Sequence, residues 1–362
     1  MKKTLLYLFL LFITFVIIIN PARTIQYALD GLGICYEVII PSLFPFFVCS
    51  GLLVYSGFSK ELSKLMRPFM KPLFNINGSG AIAFVLGIIS GYPLGALTAC
   101  QLYEGSYLSK TETERLLSFC NNSGPLFILG SVGIAMYHSI SLGVLLYISH
   151  ILAAISVGVI MRFYKKESYS PPFSPVTSEE RSIGEIFSLV LSNSINSILT
   201  VCGSVIFMSV LSKSILEFVP ARGIIHSFIL GMMEFVSGMS ELSGENINTL
   251  LKLLLSSWIV GFAGLSVHLQ VMAIVSRYKL SLKPYIFGKF LHASISLIYT
   301  FILYNVFSQS LPAFSGIGLD YIFFTSSLYT TIAAVAVIGI SLGVSFLLFL
   351  KESGRMKKRM KP

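Results

Sequence analysis

Cys120-Asn121-Asn122-Ser123-Gly124-Pro125-Leu126 interrupts an otherwise apolar region, and the nature of the molecule follows from why it does so. Pro125 lacks an amide hydrogen and disfavours helix at Gly124, so a helix arriving through Thr113 to Phe119 ends here and another starts near Pro125. Two adjacent asparagines and a serine are costly to bury in lipid. A break at membrane depth is tolerated only where it is enclosed by protein or lines a watery cavity. The freed amides at the positive end of the second half-helix form a seat for an anion, and Asn121, Asn122 and Ser123 add side-chain donors and acceptors. The plainer alternative is a Pro/Gly kink of the kind common in transmembrane helices.

Composition puts the rest of the chain in the same setting. Of 362 residues, 54% are hydrophobic and 12% charged, with a mean hydropathy of +0.81. A soluble domain needs roughly 25% charged residues to cover its surface. The expected fold is all-α and polytopic, with about eight to ten spans and broken or re-entrant helices. Apolar length and punctuation give candidate spans at 4–20, 33–57, 80–104, 114–137, 139–163, 186–211, 224–243, 250–276, 285–307 and 323–350. The gap near His138 and Ser139 is short enough that a neighbouring segment could be re-entrant.

The net charge of +10 lies at the ends of apolar runs, as membrane topology requires; nucleic-acid binding would need a basic face interleaved with aromatics. Lys60, Lys64, Arg67 and Lys71, then Arg277, Lys279, Lys283 and Lys289, read as cytoplasmic, as do both termini. The loops with Glu104, Glu112 and Glu114, and with Glu241 and Glu245, fall on the far side by the same rule. The five cysteines form no CxxC pair and suggest neither a disulfide framework nor a zinc site.

The organisation expected is an N-terminal transmembrane anchor over 1–24, a first repeat over 25–166, a polar linker over 167–183, a second repeat over 184–308, and a C-terminal transmembrane helix with a basic tail over 309–362. The repeat rests on matching order. Phe84-Val85-Leu86-Gly87 answers Phe228-Ile229-Leu230-Gly231, Leu116-Leu117-Ser118 answers Leu254-Leu255-Ser256, and Gly124 lies opposite Gly264. Repeated halves with the substrate between them are a common transporter plan. Charge places both halves in one orientation, re-entrant segments would invert them, and the choice stays open.

Other polar breaks complete the candidate site. Ser90-Gly91-Tyr92-Pro93 interrupts 80–104, with Tyr92 offering a ring face and a hydroxyl to a planar solute. Phe44 lies between Pro41 and Pro45 in a bent span. Asn193 and Asn196 are expected to face the bundle interior. Ser266, His268 and Gln270 follow Gly264 within a span. Glu234, an ionisable group in the membrane, is the candidate for a coupling ion. No HExxH, paired aspartates or P-loop is present, so an enzyme or an ATP-driven pump is not expected, and no cofactor or metal is implied.

Pro41-Ser42-Leu43-Phe44-Pro45-Phe46, Ser90-Gly91-Tyr92-Pro93-Leu94-Gly95, Cys120-Asn121-Asn122-Ser123-Gly124-Pro125 and Gly264-Leu265-Ser266-Val267-His268 together resemble the YlbJ (SpoVV) family of sporulation integral membrane proteins, within the nucleoside-recognition or Gate superfamily. The resemblance implies two Gate-like repeats and a protein of the outer forespore membrane that passes dipicolinic acid from mother cell toward forespore. The partners it implies are a small anionic substrate and the lipid bilayer, with a homo-oligomer or other sporulation membrane proteins left open. A non-transporting scaffold and a nucleoside-type permease are the alternatives.

Overall fold

The computed structural model describes residues 2–56, 58–165, 182–219 and 222–307, and all regular structure among them is helical. In chain order the α-helices are α1 (Lys2–Ile19), α2 (Pro21–Ile34), α3 (Ile40–Tyr55), α4 (Phe58–Phe74), α5 (Ala81–Ser90), α6 (Leu94–Glu104), α7 (Lys110–Cys120), α8 (Ile140–Met161), α9 (Ile183–Leu216), α10 (Ile224–Met233), α11 (Phe235–Gly244), α12 (Thr249–Phe262), α13 (Gly264–Val275) and α14 (Lys283–Phe307). A π-helical turn, Cys35–Ile39, joins α2 to α3, and a π-helical segment, Leu126–Met136, follows the break after α7. The expected span at 323–350, the tail and nearly all of the linker lie outside the described residues.

Two stretches expected as spans, 80–104 and 224–243, are hairpins. A Cβ built on Gly87 would lie 3.2 Å from the Gly95 Cα, although eight residues of straight helix span ~12 Å. Similarly, a Cβ on Gly238 would overlap the backbone of Gly231. Apolar length cannot tell such a V from a crossing helix. The glycines that let its two arms touch can.

The break at Asn121–Gly124, by contrast, lies in a through-going helix. Arg115, at one end, donates to the carbonyls of Tyr164 (2.7 Å) and Lys165 (2.8 Å) just past α8. Ser123 N–H donates to His150 Nε2 in mid-α8 at 3.0 Å. At the other end a Cβ on Gly133 would lie 2.8 Å from Gly143 Cα. The α7–π unit thus runs antiparallel along all of α8, which is itself long and apolar enough to cross a membrane. Both segments flanking His138 are therefore through-going, and neither is re-entrant.

The α2–α3 unit runs the same way beside the 34-residue α9. Tyr27 O–H donates to Glu217 at 2.5 Å near one end, and a Cβ on Gly51 would meet Val190 near the other. The expected span 33–57 therefore begins a dozen residues earlier, at Pro21, after a bend of 102° from α1.

Orientation follows by counting. Among the described residues between the two hairpins there are three crossings, in α7–π, α8 and α9. α9 starts on the face where α6 ends, since Val190 and Asn193 share a crevice with Gln101 and Tyr55. An odd number of crossings puts the hairpins on opposite faces, so the two halves are inverted. The same-orientation reading from charge fails for a physical reason. Glu104 accepts from Tyr278 O–H (3.3 Å) and Glu114 from Ser281 N–H (2.9 Å), so the 104–114 loop lies on the face of the basic 276–283 turn. Its carboxylates are engaged locally: Glu112 completes a capping box with Ser109, and Glu114 pairs with Lys165 at 3.0 Å. That hydrogen bond holds the Lys165 ammonium above the ordinary lysine range. Lys289, read with the basic cluster as cytoplasmic, is 1% exposed in the second turn of α14.

Candidate functional site at the hairpin tips

The two hairpin tips and the two helix breaks converge. At the first tip Gly91 has φ +89° and ψ −179°, a conformation open to glycine alone. A Cβ there would lie 2.9 Å from Gly124 N, so the tip rests directly on the α7–π break. At the second, Gly264 (φ +64°) is held against the Gly231 carbonyl and Phe235 N, each about 3.1 Å from where its Cβ would be. The tips meet through an edge-to-face contact of Tyr92 and Phe235, with ring centroids 5.3 Å apart, and Phe127 packs on Phe235 at 5.0 Å.

This junction opens on a cavity of about 90 Å³, room for several waters. Ser90, Gly91, Tyr92, Ser123, Gly124 and Gln270 line it together with Phe127 and Phe235, and α2–α3 and α9 close it with Ile34, Leu43, Phe46 and Val201. The arrangement offers aromatic and aliphatic faces to a flat ring and a few polar groups at the breaks, the make-up of a small-molecule site.

The remaining expected residues fall elsewhere. Asn121 and Asn122 are fully buried under the break; Asn122 Nδ2 donates to the Phe119 carbonyl at 2.9 Å, while among the described residues neither polar atom of the Asn121 side chain makes a well-formed hydrogen bond, Tyr285 O–H lying within reach of it. Pro93 starts α6 and Pro125 the π segment, both off the cavity wall. Phe44 packs on the core beside the wall residues Leu43 and Phe46. Ser266 is buried with an unpartnered hydroxyl, and His268 Nδ1 pairs with Tyr285 O–H at 3.0 Å.

Asn193 and Asn196 do not face the bundle interior as a pair. Asn193 lines a separate crevice and Asn196 is exposed. Along α9 the hydroxyls of Ser194, Ser197 and Thr200 each donate to the carbonyl four residues back, so this polar run satisfies much of itself without a bundle partner. Glu234 caps α11: its carboxylate accepts from Val236 N–H (3.2 Å) and Ser237 N–H (2.7 Å). A buried anion on a helix N-terminus is the arrangement expected for a solute, here supplied by the chain itself.

A second polar array was missed. Tyr285, Lys289, His292, Ser296 and Thr300 form one stripe of α14, all at most 1% exposed. His292 stacks on His150 of α8 with centroids 4.3 Å apart, and its Nε2 donates to the His150 carbonyl at 3.0 Å. The Lys289 ammonium lies 5.5 Å from the centroid of the Tyr92 ring, which lines the cavity, while Lys289 itself is not part of the lining. Spacing of four, three, four and four within an apolar helix was the available signal.

The model of the Gate family, described as nucleoside recognition, matches residues 37–211. The chain is 32% identical to the sporulation integral membrane protein YlbJ of Bacillus subtilis (strain 168), in a match covering 82% of this chain and 81% of that protein. No solved structure matches it.

Proposed function

The chain belongs to the family of the sporulation integral membrane protein YlbJ, and on that premise we propose that it carries a small anionic metabolite, with dipicolinate the candidate, across the outer forespore membrane during endospore formation. The observation that carries this reading is the convergence of two oppositely oriented tips and two broken helices on one cavity. Inverted repeats with discontinuous helices at the bilayer midplane are how alternating-access carriers build a solute site. Dipicolinate is a flat ring with two carboxylates, which suits a cavity walled by Tyr92, Phe127 and Phe235 with unwound backbone beside it. The solute is moved without bond making or breaking, so no enzymatic role, cofactor or metal enters the proposal, and its partners are the solute and the lipid.

Labelled dipicolinate should enter vesicles that contain this protein alone. Replacing Asn121 and Asn122 together by leucine should preserve expression and abolish uptake. No flux in the wild-type vesicles would leave the scaffold reading standing. A nucleoside-type permease is favoured by the family description together with the aromatic cavity wall; it would be recognised by nucleosides competing for uptake.

A further inference from the structure

Among the described residues Lys289 has no ion pair and its ammonium no hydrogen-bond partner, yet it is sealed inside the molecule. A charge so placed is strongly disfavoured unless something matches it. The residues around it do so incompletely. Gly288 brings α14 onto the C-terminal end of α7, where its Cβ would overlap the Ser118 carbonyl, so the negative end of that helix lies against this turn of α14. His150 cannot serve as an anion: its Nε2 accepts from Ser123 N–H, which leaves its single proton on Nδ1 and the ring neutral. The polar atoms around it are short of partners too, namely Asn121 Nδ2 and Oδ1, His150 Nδ1, His268 Nε2 and His292 Nδ1. His150, His268 and His292 all lie within electrostatic range of Lys289. An unsatisfied cation beside the unsatisfied N–H donors Asn121 Nδ2 and His150 Nδ1 is the complement of a carboxylate, while Asn121 Oδ1 and His292 Nδ1 are acceptors that would face away from it.

We propose that Lys289 and Asn121 form a carboxylate subsite behind Tyr92, filled by one carboxylate of a ring-bearing anion when the Tyr92 side chain swings aside. The proposal rests on the transporter reading and gives that solute its charge requirement. Tyr92 is suited to the movement: its ring lines the cavity and lies 5.5 Å from the ammonium, which is not part of the lining, and its hydroxyl is held by a 3.3 Å hydrogen bond to the Val260 carbonyl and by the Ser123 side chain. The outer cavity then accepts the ring while the inner subsite takes the charge.

The test is binding of dipicolinate and of benzoate, as a simple ring carboxylate, to the purified full chain in detergent, read by calorimetry beside thermal unfolding. Lys289→Met keeps the length and apolar stem of the side chain. Its affinity for both probes should fall at least tenfold, while its unfolding temperature stays level or rises because an unmatched buried charge is gone. Lys289→Arg, which keeps the charge, should retain measurable binding. Equal affinity of wild type and Lys289→Met overturns the subsite and leaves the transporter reading intact. A marked fall in the unfolding temperature of Lys289→Met makes the charge structural and also overturns it. Binding that depends on Lys289 in a protein giving no vesicle flux supports the subsite and sinks the transporter reading. Failure of the wild type to bind either carboxylate overturns the subsite outright.

Discussion

The first hairpin tip and the second occupy equivalent places in inverted halves, yet they are finished with opposite chemistry. At the second, Glu234 places its own carboxylate on the α11 N-terminus. At the first, the equivalent residue is Ser90, whose hydroxyl has no partner among the described residues, and the tip turns through Gly91 without any acid. One half is electrostatically closed by the chain, while the other stands beside an unpaired lysine. Symmetry supplies the frame, and this difference of charge gives the solute one preferred side.

Backbone contact at the two hairpins offers the largest effect with which to break the comparison. A Cβ on Gly87 would overlap the Cys120 carbonyl oxygen, a backbone atom with nowhere to go, whereas one on the matching Gly231 meets the end of the Ile259 side chain at 2.7 Å. Gly87→Ala should cost about 3 kcal/mol through overpacking at the α7 end. Gly231→Ala should cost about 1 kcal/mol or less, since Ile259 can shift and alanine improves the helix. Chemical or thermal denaturation in detergent measures both. Equal losses would mean that the halves are clamped alike.

The next effect concerns the caps. Glu234→Ala strips one buried and one part-buried amide of their acceptor and should cost about 2 kcal/mol. Ser90→Ala removes a hydroxyl that bonds to none of the described residues and should stay within about 0.5 kcal/mol. Glu234→Gln, which keeps one acceptor oxygen, should fall between them. If Glu234→Gln instead unfolds as the wild type does but loses transport, the carboxylate serves as a coupling group beyond its capping role.

Which of these features the sequence disclosed depends on how local their cause is. The breaks at Gly91, Gly124 and Gly264 were legible because proline and glycine act on their own backbone, wherever the rest of the chain goes. The pairing of Gly87 with Gly231 was legible as a motif. Its meaning was not, because two arms of a V have the same apolar length as one crossing helix, and only the approach of Gly87 to Gly95 separates them. Charge misled in two places. Lys289 looked like a marker of the membrane edge, being a basic residue close to Arg277, Lys279 and Lys283, when the turn ends at Lys283 and α14 carries Lys289 inward. Glu104 and Glu114 looked like an outward acidic loop when both are engaged by residues of the basic turn. Position in sequence gives a charge its neighbours along the chain, and the fold decides its partner.

The smallest effect tests the one residue that joins the two tips. Tyr92 belongs to the first hairpin, lies edge-on to Phe235 of the second, and hydrogen-bonds to Val260 in α12. Tyr92→Phe keeps the ring, and with it both the aromatic contact and the cavity lining beside Lys289. It removes only the hydroxyl, whose bond at 3.3 Å is at the long end of the range and is worth about 0.5 kcal/mol. Stability should drop by about that amount, and dipicolinate affinity should stay within roughly threefold of the wild type. A gain in affinity without loss of stability would show the hydroxyl acting as a latch that binding has to release, and would place the barrier to the inner subsite in the Tyr92–Val260 bond rather than in the bulk of the ring.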